Sequence, residues 1–399
     1  MLLLKNRLAI AAGIASVALV GGLFASASSS AKSKSKPPAP TTVSATTFTT
    51  SYSTMKLLKS IVKKGKGSIE VILPDTVSST RYTEFDAPSL TEAFVKAGMS
   101  FSQFRVQNAQ GSDATELTDA QAAISSGAKV LVVDPLDSGV GAQIESYAKA
   151  HGVKVIDYDR LTLGGTRGYY VSFNNTYVGT LLGKGLVSCT KAWKVSSPKV
   201  IVMRGAPTDN NATLFANGYE AVLKPLFSSG WTDVADPAGT WTPTVAETEF
   251  QQAFTANPST NAALLPNDEN AAPIISYLQS QGVKPQQFPV TGQDATLVGL
   301  QNILAGYQCG TVYKPIFLEA QAAASLAIYA RAGVKPPKAL VNGTTPDSTS
   351  NVNVPSVLLT PEWVTTANVE STIIKDGFVP AVQLCAGSYA ADCTKFKIH

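Results

Sequence analysis

Histidine is almost missing from this sequence of 399 residues, which contains only His151 and His399. Cysteine is scarce too, and the four cysteines include no C-x-x-C pair. Structural zinc sites and dithiol redox centres are built from these side chains at close spacing. The shortage argues against a zinc protein or a thiol oxidoreductase, and the sequence predicts neither a metal nor a cofactor.

Two common enzyme motifs are also absent. No G-x-S-x-G turn occurs, and Gly179, Gly183 and Lys184 lack both the P-loop spacing and the Ser or Thr that follows it. Residues 1–66 contain no acid and ten Lys and Arg, whereas the whole chain has a net charge of +4, so the remainder carries −6. A mildly acidic body predicts no binding of nucleic acid.

The first 27 residues have the pattern of an export signal. Lys5 and Arg7 precede an apolar run over 8–24, and Ala25-Ser-Ala27 is a small-residue cleavage site. We therefore expect a signal peptide over 1–27 and an extracytoplasmic protein, secreted, on the cell surface or periplasmic. An uncleaved membrane anchor is the alternative, because about 17 apolar residues can just span a bilayer. No cysteine lies near the cleavage site, which excludes a lipid-modified N-terminus.

Residues 28–66 are expected to form a disordered tether followed by a short basic segment. Ser, Thr, Ala and Pro dominate 28–52, a composition that buries little apolar surface. The stretch from Met55 to Lys66 could form a short amphipathic turn that packs on the protein surface, with membrane contact as the alternative.

The even number of cysteines fits an oxidising compartment. Cys385 and Cys393 are eight residues apart around Gly387, a natural spacing for a local disulfide. Cys189 and Cys309 then remain to pair with each other.

From Ser68 onward, short apolar runs rich in β-branched residues alternate with helical patterns. Strands are predicted at 68–73, 101–108, 130–134, 153–158 and 168–173, and again at 199–203, near 234, and at 262–265, 288–292 and 310–313. Repetition of the βα pattern predicts an α/β fold with two doubly wound parallel-sheet lobes.

An extra helix over 315–332 suggests that the chain returns to the first lobe and crosses back again. We expect an N-terminal lobe formed by 67–173 plus 315–343 and a C-terminal lobe formed by 174–314 plus 344–399. Three crossings would form a hinge of several strands, which suits bending.

Polar side chains gather just past the predicted strand ends, with Asp159 and Arg160 as the central pair. In open α/β sheets, ligands bind outside the carboxyl ends of the strands. A set of carboxylates, amides, Arg and aromatic rings suits a neutral polyol, whose hydroxyls pair with the polar groups while its C–H face packs on a ring. Each residue alone has a simpler explanation, such as a helix cap at Asn211 or a core position for Trp241; their coincidence at one edge favours a binding site.

Several segments resemble the type I periplasmic sugar-binding proteins of ABC importers, and in particular the D-xylose-binding group. The similarity runs from about 68 to 380 and rests on the segments Asp75-x5-Arg81-Tyr82, Tyr158-Asp-Arg160, Ser172-Phe-Asn-Asn175, 205–212, Asn267-Asp268, Thr291-Gly-Gln-Asp294, 311–315, Leu359-Thr-Pro361 and 374–378.

The resemblance implies a non-enzymatic, monomeric protein that captures a monosaccharide by closing its lobes and delivers it to an ABC permease. It also implies two aromatic rings that stack on the sugar, Tyr82 and Trp241, and polar ligand contacts from Arg81, Asp159, Arg160, Asp209, Asn211, Asn267, Asp294 and Lys314. Two departures stand out. Tyr82 replaces a usual Trp, and the lipid-modified cysteine of many Gram-positive relatives is missing.

Other functions fit less well. A glycoside hydrolase needs one carboxyl group with a raised pKa, whereas these Asp residues lie beside Arg or amides. A repressor would need a DNA-binding domain before residue 68, where the export signal and tether lie. An extracellular sugar sensor that presents its closed form to a receptor remains an alternative to transport.

Overall fold

The computed structural model describes residues 41–399, and the predicted signal peptide over 1–27 lies outside them. The strands of this part are β1 (Ser68–Leu73), β2 (Phe104–Asn108), β3 (Ala128–Val133), β4 (Lys154–Tyr158), β5 (Tyr169–Phe173), β6 (Lys199–Val202), β7 (Thr232–Ala235), β8 (Ala262–Leu264), β9 (Thr311–Tyr313), β10 (Gly343–Asp347), β11 (Val352–Leu359) and β12 (Glu362–Val364). Its α-helices are α1 (Lys59–Val62), α2 (Ala87–Lys96), α3 (Asp113–Ser125), α4 (Ser138–Ala150), α5 (Asn175–Ala192), α6 (Asn210–Phe227), α7 (Pro243–Ala256), α8 (Asp268–Ser280), α9 (Leu297–Leu304), α10 (Ile316–Arg331), α11 (Ala381–Leu384) and α12 (Ala390–Phe396). None of these helices is long and apolar enough to cross a membrane.

The first lobe is built on a seven-stranded sheet in the order β10-β11-β5-β4-β3-β1-β2. All neighbouring strands pair in parallel except β10 and β11. Apolar side chains of the central strands, including Val71, Val132 and Ile156, are buried in one cluster with α10. Near-continuous apolar runs are expected where helices cover both faces of a parallel sheet.

The second lobe has a parallel three-stranded sheet in the order β7-β6-β8. Single parallel bridges, Ala263 to Val290 and Gln293 to Val312, continue it towards β9. Of the strand predicted at 288–292, only the bridge at Val290 is present. Two doubly wound lobes are nevertheless confirmed.

The chain passes between the lobes three times, from β5 into α5, from β9 into α10 and from β11 into β12. This confirms the three-crossing hinge but corrects one boundary. The expected C-terminal lobe includes residues 344–359, yet β11 pairs in parallel with β5 of the first lobe, with Val357 opposite Val171. Val354, Val357 and Leu359 are buried, so the last crossing occurs near residue 360.

The prediction of a disordered tether is wrong for residues 41–52, in which Val43, Phe48 and Tyr52 are buried. Met55 and Leu58 are fully buried in the cluster that also contains α10, which confirms that the basic segment packs on the lobe. The average composition of this stretch hid these widely spaced apolar side chains. Together they bury enough surface to order the chain.

Both predicted disulfides are present. Cys189 and Cys309 have Cα atoms 6.0 Å apart, and Cys385 and Cys393 have Cα atoms 5.7 Å apart. The first joins α5 to the segment just before β9. The second closes the C-terminal tail, where Leu384 and Cys393 are buried in a cluster with residues of α9.

Replacing Leu58 with Ala should lower the free energy of unfolding by about 2–5 kcal/mol, because it empties a fully buried position. Urea denaturation followed by circular dichroism measures this change. The neighbouring Leu57→Ala is a matched control, since that side chain is 38% exposed. Equal stability of the two variants would show that the N-terminal segment is not part of the core.

Candidate functional site

The polar loops of both lobes meet at the carboxyl ends of the strands, where they surround one small cavity. All ten predicted site residues line it, and the structure adds Ser78, Ser79, Phe215 and Gln293. The cavity volume is about 20 Å³, which is room for about one water molecule. The lobes are therefore closed, and a larger ligand enters only if they separate.

Asp159 lies at the centre of the site and has a left-handed backbone conformation with φ of 54°. Its carbonyl oxygen accepts hydrogen bonds from the hydroxyls of Tyr170 and Ser172, both at 2.8 Å, and from Nδ2 of Asn211 at 2.9 Å. Three side chains thus fix the strained turn after β4. The turn directs the carboxylate of Asp159 towards Arg81 and Lys314, at 2.7 and 3.7 Å.

The electrostatics of Asp159 favour the ionised form. Burial raises the pKa of this carboxyl group, but the charges of Arg81, Lys314 and Arg160 outweigh burial and lower the pKa to about 2. Asp159 is therefore a carboxylate at neutral pH, a form that only accepts hydrogen bonds.

Arg81 is fully buried and uses most of its donors inside the first lobe. It donates from Nε and Nη2 to Asp86 at 2.9 and 2.8 Å, from Nη1 to Asp159 at 2.7 Å and from Nη2 to Glu319 at 2.9 Å. Four of its five N–H groups are therefore occupied. The geometry makes Arg81 the residue that holds Asp159, with one N–H left for a ligand.

Asp86 and Glu319 were not predicted as part of the site. The carboxylate of Asp86 accepts from Arg81 and from the Tyr158 hydroxyl. A π-helical turn over Tyr82–Asp86 leads directly into α2 and brings this carboxylate back to Arg81. Neither acid follows a strand end, so the pattern that identified the other residues could not find them.

Arg160 has much looser contacts than Arg81. Its Nη2 donates to the Tyr82 hydroxyl at 3.1 Å, and its Nη1 donates to the carbonyls of Leu136 and Pro135 at 3.3 and 3.4 Å. Its Nε lies 3.5 Å from Asp209. Such long contacts leave the guanidinium able to form shorter hydrogen bonds with a ligand.

Asp134 lies behind Arg160 at the end of β3, 3.7 Å from its Nε. Neither of its carboxylate oxygens has a hydrogen-bond partner among the described residues. Burial, reinforced by the charge of Asp159, raises the pKa of Asp134 well above its usual range.

In the second lobe, Asp209 orients the indole ring of Trp241. Asp209 accepts from the backbone N–H of Asn211 at 2.8 Å, which caps α6, and from Nε1 of Trp241 at 3.0 Å. The ring of Trp241 meets the edge of Phe215, with centroids 6.4 Å apart. The backbone of Gly205 also lies close to this ring, so that a Cβ atom there would be 2.2 Å from a ring carbon. The indole ring of Trp241 is therefore held in one orientation.

Asn211 links the lobes beside the hinge. Its Oδ1 accepts from Asn175 at 2.8 Å and from Tyr170 at 3.1 Å, while its Nδ2 donates to the carbonyl of Asp159. A ligand contact from Asn211, as predicted, has only the second hydrogen of its amide available.

Asn267, Asp294 and Lys314 complete the far side of the cavity. Asn267 caps α8 through Oδ1 and donates from Nδ2 to the carbonyl of Ser78 at 2.9 Å. Asp294 accepts from the Ser79 hydroxyl at 3.1 Å and lies 3.0 Å from Nζ of Lys314. Asn267 is thus both a helix cap and a contact between the lobes.

Of the four additional lining residues, two carried a sequence signal. Phe215 is four residues after Asn211, so it lies on the same face of α6. Gln293 directly precedes Asp294 at a predicted strand end. Ser78 and Ser79 belong to a polar loop without a distinguishing pattern, and only the fold shows that they reach the other lobe.

A search against protein families matches residues 69–335 to a periplasmic binding protein domain. The D-xylose-binding periplasmic protein of Escherichia coli is 36% identical over 72% of this chain and 85% of its own length. The multiple sugar-binding periplasmic receptor ChvE of Rhizobium radiobacter is 30% identical over 80% of this chain and 92% of its own length.

Among solved structures, the carbohydrate transporter solute-binding protein of Chloroflexus aurantiacus in complex with D-glucose has a TM-score of 0.70 and 27% identity. It covers 79% of this chain, which in turn covers 98% of it. With two α/β lobes, a three-crossing hinge and these relatives, the chain belongs to the periplasmic binding protein family, with the type I fold of its sugar-binding members.

Proposed function

We propose that the protein captures a monosaccharide related to D-xylose in the cleft between its lobes, outside the cytoplasm, and delivers it to an ABC permease. One observation supports this proposal above all: Asp159 and Arg160 from one lobe and Asp294 and Trp241 from the other line the same cavity. D-Xylose is proposed because proteins named for binding it are 36% and 34% identical to this chain.

The chemistry of the lining suits vicinal hydroxyls. The carboxylates of Asp159 and Asp294 accept hydrogen bonds from them, while Arg160 and Lys314 donate to hydroxyl or ring oxygens. Trp241 and Tyr82 provide aromatic faces for the C–H side of the ring. Hydrogen bonds to charged groups contribute roughly 1.5–3 kcal/mol each, and part of this total is lost to ordering and closure.

Closure provides the signal in this mechanism. Because residues of both lobes bind the sugar, all its hydroxyls are paired only in the closed form. The sugar therefore shifts the population towards that form. The permease then receives a protein whose closed shape reports that the cleft is loaded.

A thermal-shift screen of the purified protein against D-xylose, D-glucose, D-ribose and L-arabinose, followed by calorimetric titration, tests the proposal. We expect D-xylose to raise the melting temperature and to bind with a Kd of about micromolar or lower, equivalent to about −8 kcal/mol. Absence of a shift with every monosaccharide would refute sugar capture.

Arg160→Ala and Asp294→Ala should each abolish the sugar-induced thermal shift, because each removes a charged partner of the ligand on a different lobe. The melting temperature without sugar should remain that of a folded protein. Arg204→Ala is a suitable control, since Arg204 pairs with Glu220 and Asp236 away from the cavity. A full shift in either site variant contradicts the assignment.

Arg81→Met should behave differently from Arg160→Met. Removing Arg81 leaves three buried carboxylates without their shared cation, so we expect a loss of about 3–5 kcal/mol in the free energy of unfolding. Arg160→Met should cost clearly less, because the contacts of Arg160 are long. Urea denaturation compares the two variants, and equal losses would contradict the distinction between a holding and a ligand-binding Arg.

A further inference from the structure

The loop from Asp75 to Arg81 is a preformed turn that reaches from the first lobe to the second. Asp75 Oδ1 accepts from the backbone N–H groups of Val77 and Ser78, both at 2.7 Å, and its Oδ2 accepts from the Ser78 hydroxyl at 2.6 Å. This arrangement is a local Asx turn that needs nothing from the second lobe. The loop can therefore keep its shape when the lobes separate.

Thr80 at the end of this loop is bound by Glu269 of the second lobe. Oε1 of Glu269 accepts from the backbone N–H of Thr80 at 3.0 Å and from its hydroxyl at 3.2 Å. Glu269 lies in the first turn of α8 and is 8% exposed. It does not line the sugar cavity, so this contact belongs to closure and not to the ligand.

The surroundings of Glu269 oppose a negative charge. Its Oε2 is buried without a hydrogen-bond partner among the described residues. Burial, followed by the charges of Asp294 and Asp268, raises the pKa of Glu269 to about 8, and the N–H of Thr80 offsets this only in part. The nearby cations are engaged elsewhere, since Lys314 pairs with Asp294 and Arg81 with acids of the first lobe.

We propose that Glu269 is a positioning residue that latches the lobes through Thr80 and couples closure to the uptake of one proton, so that sugar capture strengthens as the pH falls. This inference rests on the proposed function. It adds to that function a closure residue outside the sugar contacts.

The direction of the pH effect follows from the two states. In the open form Glu269 loses Thr80 and gains water, so its pKa returns towards the ordinary value of 4.5. Because the pKa is higher in the closed form, that form binds the proton more tightly. The free energy of closure is then least favourable above a pH of about 8, and it becomes more favourable as the pH falls towards 4.5.

The test compares D-xylose affinity by calorimetry at about pH 6 and about pH 9 for the whole protein and two variants. One coupled proton changes Kd by at most about tenfold per pH unit, and we expect the wild type to bind more weakly at the higher pH. Glu269→Gln keeps an acceptor for Thr80 without a charge, so it should bind at least as tightly as the wild type at the higher pH and lose this pH dependence. Glu269→Ala also lacks the titrating carboxyl group, and it should bind about tenfold to a hundredfold more weakly than Glu269→Gln at both pH values, because Thr80 loses its acceptor.

Glu92→Gln is the matched control, since this half-exposed side chain pairs with Lys96 on the surface of α2, and it should keep the wild-type pH profile. If Glu269→Gln binds more weakly than the wild type at both pH values, the ionised carboxylate is required and the proton coupling is wrong. If Glu269→Ala binds as tightly as Glu269→Gln, the latch is wrong.

Scattering by the ligand-free protein separates a failed latch from a failed sugar assignment. If Glu269 holds the lobes together through Thr80, part of the ligand-free wild type is closed, and Glu269→Ala should have a larger radius of gyration than the wild type and Glu92→Gln, whatever the ligand is. If the protein binds no sugar but Glu269→Ala shows this increase, the proposed function is wrong and the latch is supported. An unchanged radius of gyration in Glu269→Ala overturns the latch.

Discussion

The buried ion pair between Arg81 and Asp159 is the interaction on which the rest of the site depends. Arg81 is surrounded by three carboxylates and has almost no contact with solvent. Removing a charged partner at such a depth costs several kcal/mol, because it leaves the remaining charges uncompensated. The same guanidinium that stabilises the first lobe therefore also fixes the central acceptor for the ligand.

Asp159 in turn connects the sheet, the hinge and the second lobe. Its carbonyl accepts from Tyr170 and Ser172 of β5, the strand that leads into the first crossing, and from Asn211 of the other lobe. Its carboxylate lies near Lys314, at the second crossing. A change in the angle between the lobes must therefore alter the contacts of the residue proposed to bind the sugar, which is the physical link between occupancy and closure.

Sequence patterns predicted the parts of this arrangement that follow from regular structure. Apolar runs identify parallel strands, and parallel strands bring their carboxyl ends to one edge, so Asp159, Asp209 and Asp294 could be placed together before their distances were known. Asp86 and Glu319 could not be placed, because a π-helical turn and the return of α10 bring them to Arg81. Residues 41–52 were mispredicted for a related reason, since a few apolar side chains in a polar stretch become a core only against a partner surface.

The balance of charge around the cavity restricts the ligand as strongly as any single contact. Arg81, Arg160 and Lys314 face more acids than they can neutralise, including Asp134, Asp209 and Glu319. Burial raises the pKa of each of these three acids, which lessens the excess of negative charge. A phosphorylated or carboxylated ligand would add negative charge to a nearly dry site and would face repulsion that water no longer screens. An uncharged polyol avoids this cost while using the same carboxylates as acceptors. The cavity is therefore matched to a free sugar and poorly matched to a sugar phosphate or a sugar acid.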